Sequence, residues 1–270
     1  MQQPIRRRGR PRGTKTLQQP PTIQALDRAI DVLEALASHE GMTLSELAAH
    51  LEQSIATMHR VLAALERRNY VESSGERQEW FVGAEAFRLG SAFLRRTNIV
   101  ESTRSVMRDL MASSGETSNL GIERDGDVLF VSQVETHESI RAFFPPGTRA
   151  PLHASGIGKA LLSAFDDERL EVFLRTAALA GFTERTITTA SELRDAVKQI
   201  RERGYSLDDE ERIIGMRCVG ATIFNGYGDA VAGISVSGPT IRMPDARVLE
   251  LGSWVVKAAA EASRTLGARL

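Results

Sequence analysis

Four groups of residues in this chain of 270 have the types and the spacing to do chemistry. Ser155-Gly156-Ile157-Gly158 is a small-residue turn that opens onto a helical stretch carrying Leu161 and Leu162. Free N–H groups at a helix start, with the positive end of its dipole, attract a carboxylate, so the turn suits an anionic ligand. It equally suits tight packing with no ligand, because short glycine motifs are weak evidence. It is not a phosphate-binding P-loop: His153 stands where that motif needs its first glycine, and Ala160 where it needs Ser or Thr. Ser235 and Ser237, two apart in a strand-forming run, send both hydroxyls to one side. Ala56, Thr57, His59 and Arg60 gather at the beginning of a short amphipathic helix, the place from which a recognition helix touches DNA. Arg8-Gly9-Arg10-Pro11 is the core of the AT-hook pattern, in which an extended Arg-Gly-Arg unit lies along a narrow A·T-rich minor groove.

Other chemistries lack their residues. A single cysteine, Cys218, excludes an intramolecular disulfide and a thiolate cluster for a structural metal. The histidines at 39, 50, 59, 137 and 153 show no ligand spacing, so neither a metal nor any other cofactor is expected. His153, Ser155, Cys218 and Asp208 could serve as nucleophile and base, but they stand at no recognised catalytic spacing, and no enzyme is expected. A thiol-based redox regulator would need a lowered pKa at Cys218 and an intermolecular disulfide or a sulfenic acid. Hydrophobic content of 42% with 26% charge is ordinary globular composition, and no run approaches the roughly 18 apolar residues that cross a bilayer. The expectation is a soluble, cytoplasmic protein with no membrane partner.

Periodicity gives the elements that must position these groups. Thr43-x-x-Glu46 is a capping box, with Met42 and Leu47 at hydrophobic-staple spacing, and Leu44, Leu47, Ala48 and Leu51 form one apolar stripe. After the turn Glu52-Gln53-Ser54, Ser54 caps a second helix whose expected core face is Ile55, Met58, Val61, Leu62 and Leu65. An upstream helix over 22–38, with Leu26, Ala29, Ile30, Leu33 and Ala37 inward, would complete a tri-helical core, and segments 70–72 and 80–82 read as a hairpin wing. Paired helices around a short turn also occur in all-α domains that never meet nucleic acid. The first 24 residues sharpen the choice: they carry +6 with no Asp or Glu, while the whole chain is −1, which leaves −7 on residues 25–270. Such a tail is also compatible with a disordered solubilising arm; a transit peptide is disfavoured by Gly9, Pro11, Gly13 and Pro20-Pro21.

Domain organisation follows: a disordered basic tail over 1–22, a winged helix-turn-helix over 23–83, a linker helix over 84–97 and a larger domain over 98–270. In that domain the hairpin turns Asp125-Gly126 and 225–229 separate strand pairs at 118–122 with 128–134, and at 218–224 with 230–237. Helices at 156–165, 167–174 and 192–203, with a last one from Asp245, give an α+β architecture of the kind used by small-molecule sensors.

Over about residues 23–268 the chain resembles the IclR family of transcriptional regulators. The carriers are Ala25-Leu26-Asp27-Arg28-Ala29, Thr57-x-His59-Arg60-x-Leu62, Pro151 to Ala160, Arg203-Gly204-Tyr205, Arg217-Cys218-Val219 and Ser235-Val236-Ser237-Gly238-Pro239, in that order. The resemblance implies a winged helix joined to a GAF-like effector domain, a homodimer or homotetramer on double-stranded operator DNA, and a small-molecule effector. DNA contacts would fall on Gln53, Ser54, Ala56, Thr57, His59 and Arg60, with Arg8, Gly9 and Arg10 of the tail added. Ser54-Ile55-Ala56 stands where members often carry Pro-Lys-Ser, so a phosphate-contacting lysine is missing, and the arginine tail is expected to compensate. Similarity to the glyoxylate-responsive members implies an effector site of Ser155, Gly156, Ile157, Asp208, Cys218, Ser235 and Ser237, and glyoxylate or a related short oxo or hydroxy acid as ligand. An aromatic carboxylate is the alternative.

Overall fold

The computed structural model describes residues 23–75, 78–97 and 99–269. The tail over 1–22, with Arg8, Gly9 and Arg10, lies outside them. The described residues divide into two compact units, on either side of the boundary between 93 and 94.

In the first unit α1 (Gln24–Ala37) is followed by β1 (Met42–Thr43), α2 (Leu44–His50), α3 (Ile55–Glu66), β2 (Val71–Ser73) and β3 (Glu79–Val82), and α4 (Ala84–Thr97) begins in it and runs across the boundary. Both halves of the capping box form at α2: Thr43 takes the Glu46 amide, and the Glu46 carboxylate takes the Thr43 amide at 2.8 Å. Met42 and Leu47 are both buried, as a staple requires. Glu52 adopts φ +52° and turns the chain between α2 and α3, where Ser54 caps through the Thr57 amide at 3.2 Å. Three strands in the order β1-β3-β2 make the wing sheet, one strand more than the hairpin expected from sequence.

Two core assignments are corrected. On α1 the buried residues are Val32, Ala35 and Leu36, whereas Leu26 and Ile30 are 54% and 44% exposed and Ala37 is exposed. The apolar stripe of this helix is wide, and packing on α2 and α3 uses its C-terminal half. Ile55 is 55% exposed, because the first residue of α3 stands clear of the Met58–Leu62 face that enters the core.

The second unit runs α5 (Ile99–Ser114), β4 (Thr117–Arg124), β5 (Asp127–Val134), β6 (Arg149–Pro151), α6 (Gly156–Ser163), α7 (Asp167–Thr176), α8 (Ala190–Arg203), β7 (Ser206–Asp209), β8 (Met216–Phe224), β9 (Ala230–Pro239) and α9 (Asp245–Thr265). The strands form one antiparallel sheet in the order β6-β5-β4-β9-β8-β7. Alternation sorts its two faces. Leu120, Ile122, Val219, Ile234 and Val236 serve the face against which α5 and α9 pack, while Val128, Phe130 and Ile157 join α6, α7 and α8 in the other core layer. Asp125 and Gly126 take φ +55° and +84° in the first hairpin, the left-handed pair that a type I′ turn demands.

Candidate functional site

Helix α6 begins on a bed of glycines. A Cβ on Gly220 would stand 2.8 Å from the Gly156 carbonyl carbon, and one on Gly233 2.7 Å from Ile157 Cγ2. Only glycine at these sheet positions lets the helix start come down onto the strands. Ser155 caps α6 through the Gly158 amide at 3.0 Å and donates to Pro151 O at 3.1 Å. The Ile157 side chain is 1% exposed and belongs to the core, so this residue has only its backbone N–H to offer a ligand.

Register lines up polar residues on the same sheet face. Asp208 pairs with Cys218 and Cys218 with Ser237 in one row, and Gly220 with Ser235 and Ser235 with Asn119 in the next. Gly156 lies directly over Cys218, since a Cβ there would sit 2.6 Å from Sγ. The structure thus gathers Ser155, Gly156, Ile157, Asp208, Cys218, Ser235 and Ser237 where α6 meets β7, β8 and β9. Asn119 Nδ2 donates to Ser237 Oγ at 3.1 Å, so the Ser237 hydroxyl keeps its own proton to donate, with the Cys218 sulfur in reach. Ser235 Oγ is fully buried and has no well-formed hydrogen bond among the described residues, only the approach of the Cys218 sulfur.

A narrow cavity opens beside this row, lined by Phe144, Asp208, Arg212, Ile213, Met216, Arg217, Cys218 and Ser237. The centre of a water-sized sphere has only ≈ 10 Å³ there, about one water. Ser155, Gly156, Ile157 and Ser235 stand behind that lining rather than in it.

Electrostatics divide the site. Burial, reinforced by the Glu211 carboxylate, pushes Asp208 up to about 7, against the pull of Lys159 and of the Glu211 and Arg212 amides. Lys159 is itself buried and committed: Nζ donates to Leu207 O at 2.6 Å and forms an ion pair with Glu211. Burial also raises Glu211, with Lys159 opposing. Burial pushes the Cys218 thiol up to about 11, with Asp208 adding to the effect, so the sulfur is a protonated thiol near neutral pH and a poor redox nucleophile.

Arg212 was not expected at the site. Glu210-Glu211-Arg212 reads as a solvated charge run, and the one clue was the pair Ile213-Ile214 directly after it, apolar residues that a surface run does not need.

On the first unit, Ser54, Ala56, His59 and Arg60 are exposed and Gln53 and Thr57 half-buried, all at the α2–α3 turn or on the first two turns of α3. Exposed Ile55 joins this surface. Arg28 of α1 and Arg60, Arg67 and Arg68 of α3 and the turn after it surround a shallow apolar groove between the two helices, a cationic flank next to the reading surface. Among the described residues no cluster of His, Cys, Asp and Glu is placed to hold a metal, and no helix is long and apolar enough to cross a membrane.

Fold and site together define a DNA-binding transcriptional regulator with a separate effector domain. Residues 25–75 match the IclR helix-turn-helix domain, and residues 91–264 match the bacterial transcriptional regulator IclR C-terminal domain. The chain belongs to the IclR family, whose members are transcriptional regulators and not enzymes. It is 52% identical to the HTH-type transcriptional regulator BhcR of Paracoccus denitrificans, over 96% of this chain and 94% of that one. It is 37% identical to the acetate operon repressor of Salmonella typhimurium, over 97% and 96%. The crystal structure of the Thermotoga maritima IclR superposes with a TM-score of 0.77 at 28% identity, covering 91% of this chain and all of that one.

Proposed function

We propose that this protein regulates an operon of carbon metabolism from the cytoplasm, as a homodimer or homotetramer whose hold on operator DNA answers to a short oxo or hydroxy acid, glyoxylate first among them. The observation that carries the reading is the polar row Asp208–Cys218–Ser237 beside the start of α6, facing a cavity of about one water. Such a space opens to a molecule of a few heavy atoms with small shifts of its rim, whereas an aromatic acid needs the rim rebuilt. The Ser237 proton and the Asp208 carboxyl suit the hydroxyls of a hydrated aldehyde, and the α6 start, behind the cavity lining, comes within a carboxylate's reach only as the rim shifts. The name of the Salmonella relative, an acetate operon repressor, agrees with a carbon-metabolism target.

On DNA, α3 enters the major groove with Thr57, His59 and Arg60 toward base edges and phosphates and with Ala56 and Ile55 toward thymine methyls. Gln53 and Ser54 at the helix start meet the phosphate backbone, and Arg8-Gly9-Arg10 takes the adjacent minor groove. A mobility shift on the DNA upstream of its own gene, with and without glyoxylate, tests the whole reading. The expected result is a retarded complex whose amount changes with the acid; no complex with any promoter fragment near the locus, even at low salt, overturns it. Calorimetry with glyoxylate, pyruvate and an aromatic acid tests the ligand, and binding of the aromatic acid alone overturns the small-acid choice. A Cys218→Ser variant is expected to keep the response.

A further inference from the structure

We propose that Arg212 takes the effector's carboxylate, so that the cavity selects a short monocarboxylate by charge as well as by backbone amides. The proposal rests on the effector function proposed above and adds a residue that neither the sequence motifs nor the family resemblance assigns. Arg212 lines the cavity together with Asp208, Cys218 and Ser237, and its amide bonds Asp208. Its Nη1 is buried and has no hydrogen-bond partner among the described residues, a costly state for a guanidinium nitrogen unless a ligand atom completes it. The group is held in place meanwhile: Nη2 donates to Arg149 O at 3.3 Å, and the guanidinium stands 5.5 Å from the centre of the Phe182 ring.

The other cations nearby are already neutralised. Arg217 bonds Asp209, Asp245 and Met243 O, and Lys159 is paired with Glu211. Asp208 forms no ion pair among the described residues, so its ionised form repels an anion entering the cavity and the committed cations do not relieve it. Arg212, for which the described residues offer no carboxylate partner, supplies the missing positive charge. A guanidinium also presents parallel N–H groups to a carboxylate, a geometry lysine does not reproduce.

The test is titration calorimetry of the full-length protein with glyoxylate, comparing wild type, Arg212→Gln and Arg212→Lys, with Arg194→Gln, whose partner is Glu171, as a control outside the cavity lining and melting curves to show that each variant is folded. Removing one charge-assisted hydrogen bond predicts that Arg212→Gln raises Kd about tenfold or more, with Arg212→Lys intermediate and Arg194→Gln unchanged. Folded Arg212→Gln that binds glyoxylate within about twofold of wild type overturns the assignment while leaving the effector function intact. A wild-type protein that binds no short acid at all removes the effector function itself, and this assignment with it.

Discussion

Burial and the Glu211 carboxylate bring Asp208 to about 7, so near neutrality the group is half protonated and can both donate and accept. An anionic effector is repelled by the ionised form and hydrogen-bonded by the acid form. Affinity for glyoxylate is therefore expected to fall about tenfold between pH 6 and pH 8, and to lose that dependence in Asp208→Asn. A wild-type Kd constant across this range would remove Asp208 from the site of binding. Stability has its own sign. An unfolded aspartate releases its proton near pH 4, the folded one near 7, so the folded state loses stability as pH rises between those values and Asp208→Asn should melt with a flatter dependence from pH 5 to pH 8. At this scale the sequence was only partly legible. Spacing alone put Ser235 and Ser237 on one side, and the register bears that out. Asp208 and Cys218 came from the family resemblance, because nothing local to either shows that β7 and β8 will place them side by side. Arg212 was missed because a long cation beside two acids looks solvated, and only the fold shows where it ends.

Caps and turns were the legible elements. Thr43, Ser54 and Asp125-Gly126 act over three or four residues, so their chemistry is complete within the local sequence, and each does what its type predicts. Short strands were not legible. β1, β6 and β7 have two, three and four residues, too few for alternation to register, and they exist because a neighbouring strand offers its free edge. The inward face of α1 was misplaced for the same kind of reason: several faces of a wide apolar stripe fit the periodicity, and the partner helices choose among them. The glycine bed beneath α6 gives a prediction for an element as a unit. Gly220→Ala would push a Cβ against the backbone of Gly156, and such overpacking costs typically about 1–3 kcal/mol. Melting curves should fall accordingly, and glyoxylate binding should weaken as α6 lifts, while a DNA mobility shift without ligand is retained. A variant with wild-type melting and wild-type affinity would show that the close approach carries no strain.

For the molecule as a whole, charge is divided along the chain: +6 on the first 24 residues and −7 on the remainder. If the tail meets DNA, removing residues 1–22 lowers the slope of log affinity against log salt by about 0.9 for every phosphate charge that the tail neutralises. Binding measured from low to moderate salt checks this, and an unchanged slope takes the tail out of the mechanism. The two-unit layout and the α+β class were legible because helix and strand periods change along the chain at the right places; the six-strand order was not, since it depends on pairings such as β4 with β9 between segments far apart in sequence. The glycines at 220 and 233 have a further consequence for descent with modification. Side chains cannot be added there without displacing a helix, so the floor on which α6 rests offers natural selection almost nothing to vary. Innovation in what such a regulator senses must then accumulate at Phe144, Arg212, Ile213 and Met216, where a substitution alters the guest and spares the host.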